Sequence, residues 1–314
     1  MLNRENNSTR ELPETRDGRA NVLDWLPDSK AFLYTEQRGV RQVIHRMPID
    51  GPGQELFSPR RGTFLAGRLN ANGTRAGLAM QTPEEPPEAY VLELGGQAVR
   101  VSEANTKLAL PPLGKTEVVR WKSKDGLSIE GLLTYPVNYQ AGKRVPLILN
   151  IHGGPSGVFA ETFLGAPTLY PLATFAAKGY AVLRPNPRGS SGYGTPFREQ
   201  VIQDWGGRDF EDIMTGVDHV IGMGVADPGK LAVMGWSYGG YMTAWTVTQT
   251  TRFRAAAVGA GITNHVSMYG TQDIPSVYED YFGGAPWDVP EVYAKSSPIQ
   301  FARNIQTPTL LLHE

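Results

Sequence analysis

Residues 230–241 read KLAVMGWSYGGY. The four apolar residues 231–234 predict a buried β-strand, and the apolar run 241–247 is compatible with a helix. Between them, residues 235–239 form a G-x-S-x-G pattern centred on Ser237. A strand, a sharp turn and a helix in this order form the context in which the pattern exposes a reactive serine. Ser237 is therefore the candidate nucleophile.

Two backbone segments beside this serine are candidates for stabilising negative charge. Tyr238 follows Ser237 at the start of the predicted helix, where backbone amides carry the positive end of the helix dipole. Residues 150–155, NIHGGP, follow another apolar strand, and their glycine pair lets backbone amides face the same substrate carbonyl. His152 within this segment has two readings. It is an alternative general base, or it packs beneath the glycine loop, and we favour packing.

Apolar strands alternate with helical patterns from about residue 114 to the end of the chain. The strand candidates are 145–151, 181–183, 231–234, 255–258 and 309–312. Apolar residues recur at helical spacing between residues 210 and 221. Such alternation is typical of a parallel sheet covered by helices on both faces. We predict an α/β domain over residues 114–314.

The chain before this domain has an all-β character. Short apolar runs such as 31–35 and 42–46 are separated by turn signals, among them DGPG at 50–53 and NANG at 70–73. A pattern of about 40 residues occurs twice, which indicates propeller blades. Residues 1–113 are long enough for roughly two or three blades, whereas a closed propeller needs about four to eight. We predict a partial β-propeller, with a small β-sandwich as the alternative. Residues 1 to about 20 are expected to be disordered or the remnant of an upstream segment.

Composition excludes several function classes. The chain of 314 residues has a net charge of −1, which gives no electrostatic reason to expect nucleic acid or a membrane as partner. It has no cysteine, no secretion signal at its start and no apolar run long enough to span a bilayer. We expect a cytoplasmic protein. The sequence shows no metal-binding cluster and no cofactor motif, and it does not indicate an oligomeric state.

Residues 184–194, RPNPRGSSGYG, form a glycine-rich loop after a predicted strand. One interpretation is that the loop shapes a substrate cleft. For Arg188 itself we favour a structural role, in which it pairs with an acidic residue such as Asp204 or Asp209 and holds the loop in place.

Together these motifs resemble the prolyl oligopeptidase family of serine peptidases. The resemblance rests on HGGP at 152–155, NPRGSSGYG at 186–194, DWGGRDFED at 204–212 and DPGKLAVMGWSYGGYM at 227–242. The GWSYGGY pattern is most similar to the dipeptidyl peptidase and acylaminoacyl peptidase branches. The family combines a β-propeller with an α/β-hydrolase domain and cleaves short peptides through an acyl-enzyme on serine.

The resemblance implies particular roles for three residues. Ser237 would be the nucleophile, and the backbone amides of Tyr238 and Gly154 would stabilise the oxyanion. In some branches a tyrosine hydroxyl serves this purpose at the position of His152, and this departure favours the version with two backbone amides. The resemblance implies short peptides as substrates, while the residues that bind them stay unassigned.

The sequence after Ser237 shows no histidine and acidic residue in the arrangement expected for a catalytic base and its partner. In this fold the order along the chain is serine, acid, histidine. Only His265 and His313 follow Ser237, and neither has an acidic residue at the expected place before it. The resemblance implies an acid and a histidine beyond Glu314. We therefore expect a fragment, cut at both ends, that is inactive alone and associates through an uncovered strand at 309–312.

Two other functions remain open. A carboxylesterase or lipase shares the HGG and G-x-S-x-G chemistry of residues 152–154 and 235–239. A non-catalytic interaction protein could retain the fold without a complete triad. The propeller-like amino-terminal region and the GWSYGGY context favour a peptidase over an esterase. The intact G-x-S-x-G turn and the HGGP segment argue against a non-catalytic protein.

Overall fold

A computed structural model describes residues 6–313 and divides into two units. The first unit contains the chain up to Ala109 together with Ala160–Phe163 and Gly192–Thr195. The second contains Leu110–Phe159, Leu164–Ser191 and the chain from Pro196 onward. The predicted domain boundary after residue 113 stays a prediction.

The first unit consists of two four-stranded antiparallel sheets. The first sheet contains β1 (Asn21–Trp25), β2 (Ala31–Arg38), β3 (Arg41–Pro48) and β4 (Gln54–Phe57). The second contains β5 (Thr63–Leu69), β6 (Arg75–Gln81), β7 (Glu88–Glu93) and β8 (Ala98–Arg100). Each sheet runs in sequence order, so every strand pairs with its neighbour in the chain. This is the strand number and order of a propeller blade.

The two sheets share one hydrophobic core. Leu33 and Ile44 of the first sheet pack in one cluster with Leu78 and Leu92 of the second. All four side chains are at most 3% exposed. A single blade cannot bury its apolar face alone, so stacking of the two sheets provides this core.

The expectation of disorder up to about residue 20 is wrong for Asp17. Its side chain is buried, and Oδ1 accepts hydrogen bonds from the amides of Gly192 and Gly194. Its own amide donates to Glu36. A buried carboxylate needs such donors. Residues 1–5, to which the same expectation applied, lie outside the described residues.

The second unit is built on a seven-stranded sheet in the order β15-β14-β13-β11-β12-β10-β9. Its strands are β9 (Thr116–Lys122), β10 (Ser128–Thr134), β11 (Val145–Ile151), β12 (Ala181–Asn186), β13 (Ala226–Trp236), β14 (Phe253–Gly259) and β15 (Thr309–Leu312). β9 and β10 form an antiparallel hairpin, and β10 pairs antiparallel with β12. The other pairs are parallel. The predicted α/β class is confirmed.

Helices connect the strands of this sheet. They are α1 (Leu172–Ala177), α2 (Thr195–Arg198), α3 (Arg208–Gly222), α4 (Tyr238–Gln249), α5 (His265–Thr271), α6 (Pro275–Phe282) and α7 (Pro290–Ser296). All residues of α4 except Gln249 are buried, because this helix packs against β11, β13, β14 and the 3₁₀ segment Pro298–Asn304. Among the described residues, no helix is both long and apolar enough to cross a membrane.

β15 is an edge strand with an exposed apolar surface. Leu310, Leu311 and Leu312 are 57%, 69% and 39% exposed. An apolar groove of about 670 Å³, lined in part by Phe175, Ala257 and Leu310, adjoins it. An uncovered apolar edge strand offers unpaired backbone groups to a second chain.

We therefore expect the 314-residue chain to associate in solution, and Leu311→Lys to shift it toward monomer. A lysine on an edge strand opposes pairing through its charge. Light scattering across a concentration series measures the mass. Ile305→Lys is the control, because Ile305 is also exposed, at 41%, but lies outside the strand. A concentration-independent monomer for the unmodified chain would contradict the prediction.

Candidate active site

Ser237 lies at the turn between the end of β13 and the start of α4. Its backbone has φ 59° and ψ −121°, a conformation that non-glycine residues rarely adopt. Its amide donates to the carbonyl of Gly259 on β14, and its carbonyl accepts from the amide of Tyr241 in α4. The side chain is exposed, and its hydroxyl forms no hydrogen bond with another described residue. The turn thus presents a free hydroxyl at the carboxyl edge of the sheet.

Glycine is required where the turn meets the neighbouring strand. A Cβ atom on Gly239 would lie 2.1 Å from the carbonyl oxygen of Ile151 at the end of β11. A Cβ on Gly235 would lie 2.3 Å from the carbonyl oxygen of Gly239. Because backbone atoms cannot move aside as a side chain can, both glycines of the G-x-S-x-G pattern follow from close packing.

The segment after β11 lies next to Ser237. A Cβ placed on Gly153 would be 3.4 Å from Cβ of Ser237 and 3.9 Å from its Oγ. Gly154 follows with φ +132°, a conformation that favours glycine, and precedes Pro155. The structure therefore brings together Ser237, the α4 amide of Tyr238 and the loop that contains Gly154. The assignment of the two amides as oxyanion donors stays a prediction.

His152 packs beneath this loop and does not reach Ser237. It is buried, its Nδ1 lies 2.8 Å from the carbonyl oxygen of Gly153, and its Nε2 lies 3.0 Å from Oγ of Ser190. The ring of Phe159 packs edge-on against it. Burial lowers the pKa of His152 to about 4, so the neutral imidazole prevails at neutral pH. The alternative role as general base has no hydrogen bond to support it.

The two histidines after Ser237 are also not hydrogen-bonded to it. His265 is buried on α5, where its Nδ1 lies 3.3 Å from the hydroxyl of Tyr278, and burial lowers its pKa to about 3. His313 is exposed and follows β15, which is separated from β13 by β14. No described residue is therefore positioned by a hydrogen bond to act as base for Ser237.

Arg188 is fully buried, but its partners differ from those predicted. We expected Asp204 or Asp209, whereas the guanidinium binds Asp212 through Nε and Nη2 and Asp125 through Nη1. The Arg188 amide also donates to Asp212. Asp209 and Asp212 lie on the same face of α3, one turn apart, so the position of each along the helix decides its partner: Asp212 lies beside the Arg188 loop, and Asp209 lies beside Tyr238.

The sequence suggested Asp209 only as a partner of Arg188 and did not predict its contact with Tyr238. It lies in the first turn of α3, is 0% exposed, and accepts a hydrogen bond of 2.5 Å from the hydroxyl of Tyr238. Burial raises the pKa of Asp209 to about 7, against the hydrogen bonds that favour its charged form. The sequence did indicate that Asp209 is buried, because it lies four residues before Ile213 and therefore on the same, buried face of α3.

Among the described residues, no group of three or more histidine, aspartate or glutamate side chains could hold a metal ion. The chemistry that the arrangement supports uses the serine hydroxyl and backbone amides. A nucleophile beside amides at a helix N-terminus is suited to attack on a carbonyl carbon.

Comparisons with known proteins agree with this geometry. The sequence pattern of the prolyl oligopeptidase family matches residues 169–313. An uncharacterised peptidase of Bacillus subtilis (strain 168), YuxL, is 38% identical over 234 residues, which are 74% of this chain and 35% of that protein. Dipeptidyl-peptidase 5 of Schizosaccharomyces pombe is 32% identical over 201 residues, 63% of this chain and 29% of that protein.

The fold has a solved counterpart. The acylaminoacyl peptidase of Pyrococcus horikoshii superposes with a TM-score of 0.79 and 26% identity, over 94% of this chain and 46% of that one. This likeness confirms the predicted combination of an all-β region with an α/β-hydrolase sheet. The chain spans less than half the length of each of these three proteins.

Proposed function

This chain belongs to the prolyl oligopeptidase family, and on that premise we propose that Ser237 is the nucleophile of a serine peptidase that hydrolyses short peptides. The observation that carries the proposal is the exposed, strained Ser237 at the β13–α4 turn, beside the loop of Gly153. A residue with a strained backbone conformation persists only where the surrounding structure holds it. Such strain is found most often at functional sites.

The proposed reaction is acyl transfer. Oγ of Ser237 attacks the carbonyl carbon of the scissile bond as its proton passes to a base. The carbonyl oxygen becomes an oxyanion, which the amides of Tyr238 and Gly154 stabilise. One such donor contributes about 2.7–4 kcal/mol to the transition state. The C–N bond then breaks, the amine leaves with the proton, and water hydrolyses the acyl-enzyme on Ser237.

No described histidine forms a hydrogen bond with Ser237. His152 and His265 are both buried. His152 is hydrogen-bonded to Ser190, and His265 is hydrogen-bonded to Tyr278. We propose that these 314 residues alone turn over no peptide and react at Ser237 only slowly, because an oxyanion hole without a base retains only a small part of the catalysis.

Labelling with a fluorophosphonate probe, followed by peptide mass spectrometry, tests the proposal. We expect rapid modification of Ser237 in the protein expressed from its complete reading frame and slow modification in the 314-residue chain. Heat-unfolded protein is the control, since it retains the serine but not the turn. Modification of other serines at the same rate would contradict the assignment. Equally rapid labelling of the 314-residue chain would show that a base lies within it.

Substrate comparison separates a peptidase from an esterase. We propose that aminoacyl or dipeptidyl anilides are hydrolysed by the protein expressed from its complete reading frame. The relatives named as dipeptidyl-peptidase and acylaminoacyl peptidase support this class of substrate. Hydrolysis of nitrophenyl esters with no detectable hydrolysis of any anilide would favour a carboxylesterase instead.

A further inference from the structure

The residue after Ser237 is held by its side chain as well as by its backbone. Tyr238 is 1% exposed, and its hydroxyl donates to Oδ2 of Asp209 over 2.5 Å. Trp205 packs against the Tyr238 ring in a T-shaped arrangement, with ring centroids 5.0 Å apart. The phenol is therefore fixed at its tip by a carboxylate and at its ring by an indole.

Asp209 is itself fixed in position. Its Oδ1 accepts from the amide of Phe210 at 2.7 Å, and its Oδ2 accepts from the amide of Gly206 at 3.2 Å as well as from Tyr238. All three partners are donors. A carboxylate satisfies them all, whereas the amide group of an asparagine would place its own donor against one of them. The chemistry of the contact thus specifies an aspartate.

The contact joins the starts of two helices. Asp209 lies in the first turn of α3, and Tyr238 is the first residue of α4. The amide of Tyr238 directly follows the strained Ser237, whose φ is 59°. Strain of this kind persists only when neighbouring groups over-determine the backbone. A buried hydrogen bond to the next side chain is one such restraint.

We propose that Asp209 is a positioning residue, whose carboxylate holds the Tyr238 phenol and thereby fixes the backbone amide that stabilises the oxyanion at Ser237. The inference rests on the proposed function. Asp209 does not touch the substrate. It acts through Tyr238, and its contribution lies in the geometry of the transition state rather than in substrate binding.

The chain offers a matched control on the same helix. Tyr241 is 0% exposed and its ring packs beside Tyr238 at 5.6 Å, but its hydroxyl has no hydrogen-bond partner among the described residues. Tyr238→Phe and Tyr241→Phe each remove one buried hydroxyl from α4. Only the first removes a bond to Asp209.

The test uses the protein expressed from its complete reading frame and measures kcat and KM on an anilide or ester that it hydrolyses. We expect Tyr238→Phe and Asp209→Asn each to lower kcat about tenfold with KM unchanged, because small misplacement of a catalytic group has large effects on rate. The double variant should be no slower than the slower single variant, since both changes break one contact. Tyr241→Phe should stay within twofold of the unmodified protein.

Each alternative outcome has a distinct meaning. If Ser237 is labelled but Tyr238→Phe and Tyr241→Phe have equal kcat, the proposed function stands and this inference is wrong. A purely structural Asp209 would lower the melting temperature of Asp209→Asn and leave kcat of the folded protein unchanged, which also overturns it. If Ser237 is not labelled in the unmodified protein, the proposed function fails and the inference fails with it.

Discussion

Replacement of Ser237 by alanine is expected to lower kcat for anilide hydrolysis about a millionfold, the loss typical of removing the nucleophile of a serine hydrolase. The acyl-enzyme cannot form without Oγ. The remaining amides of the turn and the loop would still bind an oxyanion, so a small residual rate over the uncatalysed reaction is expected. The measurement is kcat of the protein expressed from its complete reading frame.

The loss should occur without unfolding. The Ser237 hydroxyl caps no amide of α4, so alanine removes no hydrogen bond that stabilises the helix. We expect an unchanged melting temperature for Ser237→Ala. Ser276→Ala is the control, because Ser276 is an exposed serine on α6. A Ser237→Ala variant that retains a tenth of the original kcat would rule out Ser237 as the nucleophile.

The largest effect on stability is expected for Arg188→Met. Arg188 and Asp212 are both 0% exposed at their side chains, and the pair forms two hydrogen bonds through Nε and Nη2. Burial alone would lower the pKa of Arg188, but its bonds to Asp212 and Asp125 raise it, so the residue is charged. Methionine would leave the Asp212 carboxylate buried without its cation. Removing one member of a buried ion pair costs roughly 3–5 kcal/mol.

Chemical unfolding of the purified protein measures this change as a lower midpoint at constant slope. Asp125→Asn is the matched control, because Asp125 is the second partner of the same guanidinium but is 39% exposed. Solvent weakens such exposed pairs to about 0–1 kcal/mol. If Arg188→Met shifts the midpoint no more than Asp125→Asn, the buried pair contributes little to stability.

The sheet was predictable because its strands are continuous apolar runs. The segments at 145–151 and 309–312 have the predicted bounds, and the segment 231–234 lies within the longer β13, Ala226–Trp236. β11 leaves this signal because a buried parallel strand is covered on both faces, whereas β15 carries the same apolar run with its leucines exposed. The turn at Ser237 was predictable because its close packing against β11 leaves room only for a glycine at position 239, and this glycine is visible in the sequence.

The sequence did not predict which aspartate binds Arg188 and which binds Tyr238. Asp204, Asp209 and Asp212 lie within one short stretch, and local sequence does not say which carboxylate faces which element. The packing of successive turns of α3 decides that Asp212 binds Arg188 and Asp209 binds Tyr238. The G-x-S-x-G pattern specifies the backbone around Ser237 and carries no information on a phenol at the next position.

The order of strands in the sheet has a consequence for how the chain folds. β9 and β10 are joined by a tight turn, and a hairpin of this kind forms in roughly 1–10 microseconds. β11 lies between β12 and β13, and its pairing with β13 joins Leu147 to Leu231. Such distant pairing is slow because a long loop must close first. The backbone of Ser237 is fixed later still, since its amide bonds Gly259 on β14. During synthesis, the apolar β11 therefore emerges long before β13, and the turn at Ser237 is among the last parts of the second unit to be fixed.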